Sequence, residues 1–365
     1  MRRYIGAICL SIAMVMMTAP AFANEQWDYH LRGLEEGLAA GLLPPPGFYF
    51  ISTSIWAPSF HPYGITDNAG VYHADQANSN TKFFVFVEVP VLMWSSGCKI
   101  LGADYGAAIS EPLNYTSFRS QTGLTGISPL GTNFEYGSSQ WGAYNTIIAP
   151  ILLSWHLNPA LHIGAGLAVG VNDGTSSPGD SVASNLKNAG LDLPGANKLY
   201  TNLSKYDGNI YLWSSNNCWT FAPHFGITFL YPPGWHVSAD FIYAWYTKDT
   251  DTNYQSGDQF FGDYTVSYTC GKWTFGIGAE STTQIQNDKF ALVNPLTGKS
   301  SGFKSQPNSQ SDNYALGPLI GYDFGPCSLM FVYNFALETK NDLGGDFAYL
   351  RLVIPLGNPF PFGGK

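Results

Sequence analysis

Apolar and polar residues alternate with a period of two from Trp235 onward. Between Trp235 and Trp245 the odd positions are Trp, Val, Ala, Phe, Tyr and Trp, and the even ones are His, Ser, Asp, Ile and Ala. A polar loop follows over 249–258, and a second alternating run extends from Phe260 to Thr269. Past Cys270-Gly271, a third run sets Trp273, Phe275, Ile277 and Ala279 against Lys272, Thr274, Gly276, Gly278 and Glu280. Each run therefore predicts a strand with two unlike faces. One face carries aromatics near its ends, at Trp235, Trp245 and Trp273, while the other keeps Asp240, Asp263 and Glu280. A soluble sandwich also alternates, but its apolar face meets another sheet and prefers aliphatic residues. Aromatic ends, an apolar middle and a charged reverse side are what a transmembrane β-barrel strand needs. A tilted strand of about ten residues crosses a bilayer core.

The same pattern predicts twelve strands, near 47–57, 80–94, 99–112, 142–155, 160–171, 218–231, 234–246, 259–269, 272–283, 313–324, 327–338 and 346–356. Short connections, at Ser95 to Cys98, His156 to Pro159, Pro232-Pro233-Gly234, Cys270-Gly271 and Gly325-Pro326, alternate with long polar ones at 58–79, 113–141, 172–217, 247–258, 284–312 and 339–345. Short turns on one side and long loops on the other are the barrel signature. The predicted fold is all-β: one antiparallel transmembrane barrel of about twelve strands over 47–356, with both ends of the barrel on the periplasmic side. A short N-terminal helix is expected within 24–46, because Leu31, Leu34, Glu35, Leu38 and Leu42 fall at helical spacing before Gly41 and Pro44-Pro45-Pro46. Residues 357–365 extend beyond the last strand. Pro90, Pro150, Pro223 and Pro318 fall inside predicted strands, where each removes a ladder bond, so they mark kinks, bulges or misplaced strands.

Parity then assigns the lumen. If the aromatic and aliphatic sides face lipid, the inner side carries Glu88, Asp104, His162, His224, Asp240, Asp263, Lys272, Glu280, Asp323 and Arg351, interleaved with glycines. Asp240, Asp263 and Glu280 share parity on three consecutive strands. They form an acidic stripe facing Arg351 and Lys272, which either tunes ion selectivity or fills the barrel as a paired network.

Other features narrow the class. Residues 1–23 read as a cleaved export signal: Arg2 and Arg3, the apolar run from Ile5 to Met17, and the small-x-small site Ala21-Phe22-Ala23. After it, no run reaches the ~20 apolar residues of a membrane helix, so a membrane location requires a closed barrel. Charged residues make up only 12% and aromatics 15%; the first figure is about half the soluble average. The net charge of −9 argues against a nucleic-acid partner. Of the mature cysteines, Cys98, Cys270 and Cys327 fall on the short-turn side and Cys218 on the other, so at most one disulfide is expected. No GxSxG, HExxH, P-loop or dinucleotide fingerprint is present, and no CxxC pair offers a zinc site. Neither an enzymatic role nor a cofactor or metal is expected. His162, His224 and His236 could converge in the lumen, with polar lining as the plainer reading.

Several short segments, in order, resemble an outer-membrane family named for the MetA-pathway of phenol degradation. They are Leu43-Pro44-Pro45-Pro46-Gly47-Phe48-Tyr49, Ile100-Leu101-Gly102-Ala103-Asp104-Tyr105-Gly106, Asn253-Tyr254-Gln255-Ser256-Gly257-Asp258, Leu316-Gly317-Pro318 and Leu350-Arg351-Leu352-Val353-Ile354-Pro355-Leu356. The chain departs from the usual barrel ending, because Asn358 to Lys365 displaces the terminal aromatic, leaving Phe360 or Phe362 as substitutes. The resemblance implies a cell outer-membrane channel or transporter, porin-like, for small hydrophobic or aromatic solutes. Its partners would be outer-membrane lipid and such a solute. Two alternatives stand beside it: a closed barrel whose long loops bind a surface partner, and a secreted soluble β-rich binding protein.

Overall fold

The computed structural model describes residues 27–66, 71–77, 80–123, 133–175, 214–249, 254–290 and 302–357. The export signal predicted over 1–23 and the extension over 358–365 lie outside them. Twelve strands form the wall: β1 (Gly47–Thr66), β2 (Thr81–Ile100), β3 (Ala103–Ser110), β4 (Ile147–His156), β5 (Leu161–Gly170), β6 (Thr220–Tyr231), β7 (Trp235–Tyr246), β8 (Gln259–Cys270), β9 (Trp273–Gln284), β10 (Asp312–Asp323), β11 (Ser328–Lys340) and β12 (Phe347–Gly357). Each pairs antiparallel with its sequence neighbours. β1 pairs with both β2 (Ser54↔Glu88) and β12 (Thr53↔Arg351), which closes the ring. No helix among the described residues is long and apolar enough to cross a membrane; these strands do the spanning.

Alternation sorts the side chains as the pattern requires. Trp245, Phe275 and Phe331 point outward with 44%, 51% and 40% of their surface exposed, while Asp240 and Glu280 on the reverse faces are buried at 3% and 4%. Apolar outside and polar inside inverts a soluble fold. The arrangement holds only if hydrocarbon covers the outer belt. Aromatic clusters border that belt. At the turn end Phe48 stacks on Trp94, and Trp94 meets Tyr105. Toward the loop end Trp56 meets Phe86, and Phe86 and Tyr115 both meet Trp141.

Three expectations change. The first hairpin does not turn at Ser95 to Cys98: β2 runs on to Ile100, and the turn sits at Leu101-Gly102, both at positive φ. The long connection after β3 is largely a second hairpin, Leu113–Gly123 with Asn133–Ala143, which carries the wall onward and pairs with the loop-end half of β2. The expected N-terminal helix is absent from 27–46. Gly33 and Gly37 adopt φ of 71° and 80°, and the local bonds are i to i+3 turns, such as Leu34 N to Leu31 O and Leu38 N to Glu35 O. Left-handed glycines four residues apart interrupt a helical ladder. The leucine spacing survives because Leu31 and Leu34 pack on a buried cluster holding Val87, Val89 and Tyr349.

The strand prolines sit at defects in the ladder. Pro150 lies in a bulge of β4 that shifts its register against both β3 and β5. The β6–β7 ladder is open beside Pro223, and the β10–β11 ladder beside Pro318. Pro90 lies where β2 changes partner, from Leu113 opposite Glu88 to Ser110 opposite Val91. At such places the missing N–H costs no ladder bond.

Candidate functional site

The lumen is the candidate site, and the chain's own N-terminal segment fills it. Residues 27–46 descend from the loop end to the turn end inside the ring. At the top, Trp27 exchanges two bonds with Asn216: its N–H donates to Oδ1 at 3.2 Å, and Asn216 Nδ2 donates to its carbonyl at 2.5 Å. At the bottom, Ser95 Oγ donates to Pro44 O at 2.8 Å, just before β1 begins.

Between these ends, wall side chains take over backbone bonds that a helix would have made. Glu35 N–H donates to Asp263 Oδ2 at 2.7 Å, Gly37 N–H to Thr265 Oγ1 at 2.6 Å, Ala40 N–H to Ser238 Oγ at 3.0 Å and Gly41 N–H to Thr228 Oγ1 at 2.9 Å. Arg351, 1% exposed, donates to the carbonyls of Glu36 and Leu34 and reaches Thr53 Oγ1 at 3.3 Å. Asn334 Nδ2 and Tyr349 OH hold the Glu36 carboxylate at 3.0 and 2.9 Å. Arg32 pairs with Asp28 and Asp342 at 3.1 and 3.0 Å. The wall is cut to receive the segment: a Cβ on Gly226 would stand 2.2 Å from Ala40 O, and one on Gly164 would stand 2.6 Å from it.

The predicted lining divides accordingly. Asp240, Asp263 and Glu280 are consecutive cross-strand partners, all buried and inward, so the acidic stripe exists. Asp263 also binds His30 Nε2 at 2.7 Å, and Asp240 faces His224 Nδ1 at 3.5 Å. Thr282 Oγ1 donates to Glu280 at 3.4 Å. Arg351 faces inward, but it holds the segment's carbonyls instead of the stripe. His162 and Asp104 face inward at the turn-end rim, where His156 joins them.

Two placements are corrected. Lys272 is exposed in the β8–β9 turn, so it faces no stripe. Asp323 keeps the inward parity of Leu319 and Gly321 and lies exposed at the turn-end rim, where it accepts from Gly325 N–H. Glu88 lies on the outer face with Ser52 and Ser54, whose hydroxyls donate to its carboxylate. The inward residues of β2 are Val87 and Val89, so parity counted from acidic residues chose the wrong side of this valine-rich strand.

Sequence reasoning missed the small polar residues that carry the docking: Ser95, Ser154, Thr228, Ser238, Thr265 and Asn334. The available signal is small polar residues at inward parity, on the same strand face as Asp240, Asp263 and Gly226. Among the described residues, no group of three or more His, Cys, Asp or Glu side chains could hold a metal. His162, His224 and His236 do not converge; they meet His156, Asp240 and Ser267.

A ring of twelve tilted strands, an apolar belt bounded by aromatics and a polar interior define a membrane-spanning β-barrel, here with its lumen occupied. Within that class, residues 196–352 match the model of the family described as MetA-pathway of phenol degradation. Among solved structures, an outer membrane channel from Pseudomonas putida F1 is similar at 13% identity and a TM-score of 0.57, covering 86% of this chain and 97% of its own. At that identity the likeness is one of fold. The toluene transporter TbuX of Ralstonia pickettii is 12% identical with a TM-score of 0.38, over 88% of this chain and 92% of its own. A comparison with curated proteins gives no match.

Proposed function

We propose that the protein is an outer-membrane channel for small hydrophobic solutes, aromatic ones included, that residues 1–23 export it, and that its long loops face outward. The observation that carries this reading is a lipid-facing barrel whose lumen is packed by its own N-terminal segment. An interior sealed by side-chain bonds suits an open water-filled pore poorly, and it suits small apolar solutes that need only a transient or narrow route. The family match over the second half of the chain and the fold shared with an outer membrane channel support it. The name of TbuX, a toluene transporter, supplies the probe. Catalysis has no part in the reading: Asp263, Asn334, Tyr349 and Arg351 are engaged with the segment.

The test is uptake of radiolabelled toluene by cells with and without the gene, with outer-membrane fractionation of the protein. Uptake that follows the gene supports the reading, and equal uptake refutes it. A second reading, a closed barrel whose loops bind a surface partner, is favoured by the same occupied lumen and by strands that continue past the aromatic border. Liposomes holding folded protein and showing no solute flux would select it. The secreted soluble alternative conflicts with an outer face of Trp, Phe and Ile. Release of the protein from cells without detergent would restore it.

A further inference from the structure

The turn-end rim holds a side-chain cluster apart from the residues that hold the N-terminal segment. His156 ends β4 and His162 is the second residue of β5; they are direct cross-strand partners across the connecting turn. Such partners put both side chains on one face, with Cβ atoms about 5 Å apart. The two rings meet at a centroid distance of 4.9 Å, and their Nδ1 atoms are 2.8 Å apart. The far nitrogen of His156, Nε2, lies 2.6 Å from Asp104 Oδ2, and Asp104 Oδ1 is held by Lys99 Nζ at 2.9 Å. His162 is 7% exposed, and its Nε2 is buried with no hydrogen-bond partner. Beyond His156, the ring meets the Pro159 backbone, so binding an ion through Nδ1 leaves the ring's proton on Nε2.

A carboxylate that takes the proton of one imidazole nitrogen fixes the tautomer and leaves the other nitrogen's lone pair free, which is how metal-ligating histidines are oriented. Asp104 does this to His156, and the freed Nδ1 points at Nδ1 of His162. Two imidazole nitrogens on one tetrahedral ion, at ~2.0–2.1 Å each, stand about 3.3 Å apart. Opening the present pair that far needs only a small ring rotation. The side chains of His156 and Asp104 are 37% and 28% exposed, so an ion has access from solvent and water can complete its shell. Neutral imidazoles favour zinc-, copper- or nickel-class ions over calcium or magnesium.

We propose that His156 and His162 form a two-histidine site for a divalent transition ion of the zinc or copper class, with Asp104 as the positioning residue of His156. The ion would staple β4 to β5 and, through Asp104, to β3. The site adjoins the place where the N-terminal segment leaves the lumen, since Ser154 Oγ donates to Gly41 O at 2.9 Å and a Cβ on Gly41 would stand 2.5 Å from His162 O.

The test uses untagged full-length protein in lipid nanodiscs. Cu²⁺ is titrated with paramagnetic resonance detection of nitrogen coupling, and Zn²⁺ against a chromophoric chelator. One ion per barrel, with two-nitrogen coupling, is expected for the native chain and for a His236→Gln control. The His156→Gln/His162→Gln double variant, confirmed as folded by heat-modifiable gel mobility, should lose it. Asp104→Asn should weaken binding about tenfold, the low end for an outer-shell partner. Equal binding by the native and double-variant proteins, or none by the native chain, overturns the site. Full affinity in Asp104→Asn overturns the role given to Asp104.

Discussion

Asp263→Asn isolates what holds the lumen segment in place. One carboxylate oxygen, Oδ2, receives both His30 Nε2 and the Glu35 N–H, each at 2.7 Å, and both donors belong to the segment. Asparagine keeps the shape and one acceptor but removes the charge. Hydrogen bonds to a charged group contribute about 1.5–3 kcal/mol and neutral ones about 0.5–1.5. Each of the two bonds therefore loses about 1–1.5 kcal/mol, for a total of about 2–3. Because roughly 1.4 kcal/mol is tenfold in an equilibrium constant, release of the segment becomes about 30- to 150-fold more frequent. Hydrogen exchange followed by mass spectrometry in nanodiscs reads this directly. Peptides from 27–46 should exchange faster by that factor, while peptides from β8 and β9 keep their protection. Unchanged exchange over 27–46 in a folded variant would refute the claim that wall carboxylates hold the segment. Equal acceleration everywhere would show that the segment and the ring open as one unit.

Other expectations follow from the same geometry. Gly226→Val places atoms where Ala40 O stands, and overpacking of this kind costs about 1–3 kcal/mol; the same exchange experiment should show the 38–43 region loosened. In the loops, Asp288 is fully buried and accepts from Gly257 N–H at 2.9 Å and Gln284 Nε2 at 2.6 Å, and burial pushes its carboxyl up to about 7. The folded loop then binds a proton that the unfolded one releases near pH 4, so its stability falls as pH rises from about 4 to 7, by up to tenfold per unit. Exchange of residues 284–290, corrected for intrinsic rates, should therefore be slower at pH 5 than at pH 8, and Asp288→Asn should flatten the difference. A nitroxide at position 88 on a cysteine-free background should be relaxed more by oxygen than by a water-soluble nickel chelate, as an outward position in the lipid belt requires; the reverse would put Glu88 back in the lumen.

Much of the fold was legible because a period of two, sustained over twelve runs, leaves few alternatives once no long apolar segment exists. Strands such as Trp235–Tyr246 and Trp273–Gln284 were placed within a residue or two. The failures have particular causes. Leu31 to Leu42 shows helical spacing, but Asp263, Thr265, Ser238 and Thr228 claim the N–H groups a helix would need, and that competition lies some 190 to 230 residues away in sequence. Glu88 departs from the expected parity because charge does not mark the inner face here: β2 turns Val87 and Val89 inward against the segment. Of the ten residues expected to line the lumen, Asp263 and Arg351 bind the N-terminal segment, which is nearer to the network that fills the barrel than to a lining for ions. A one-dimensional pattern gives facing but cannot say what the faced side meets.

The direction of the N-terminal segment constrains how the molecule can be built. Trp27 lies at the far rim and Gly47 at the near one, so the chain passes down the axis before it joins the wall. Contacts to β2, β4, β6, β7, β8, β11 and β12 surround this passage, so the segment reaches its place either before the ring closes or along the axis through a mouth. Trp27 itself sits beside Asn216 and Tyr144, at the opposite mouth from the one where the last strand ends.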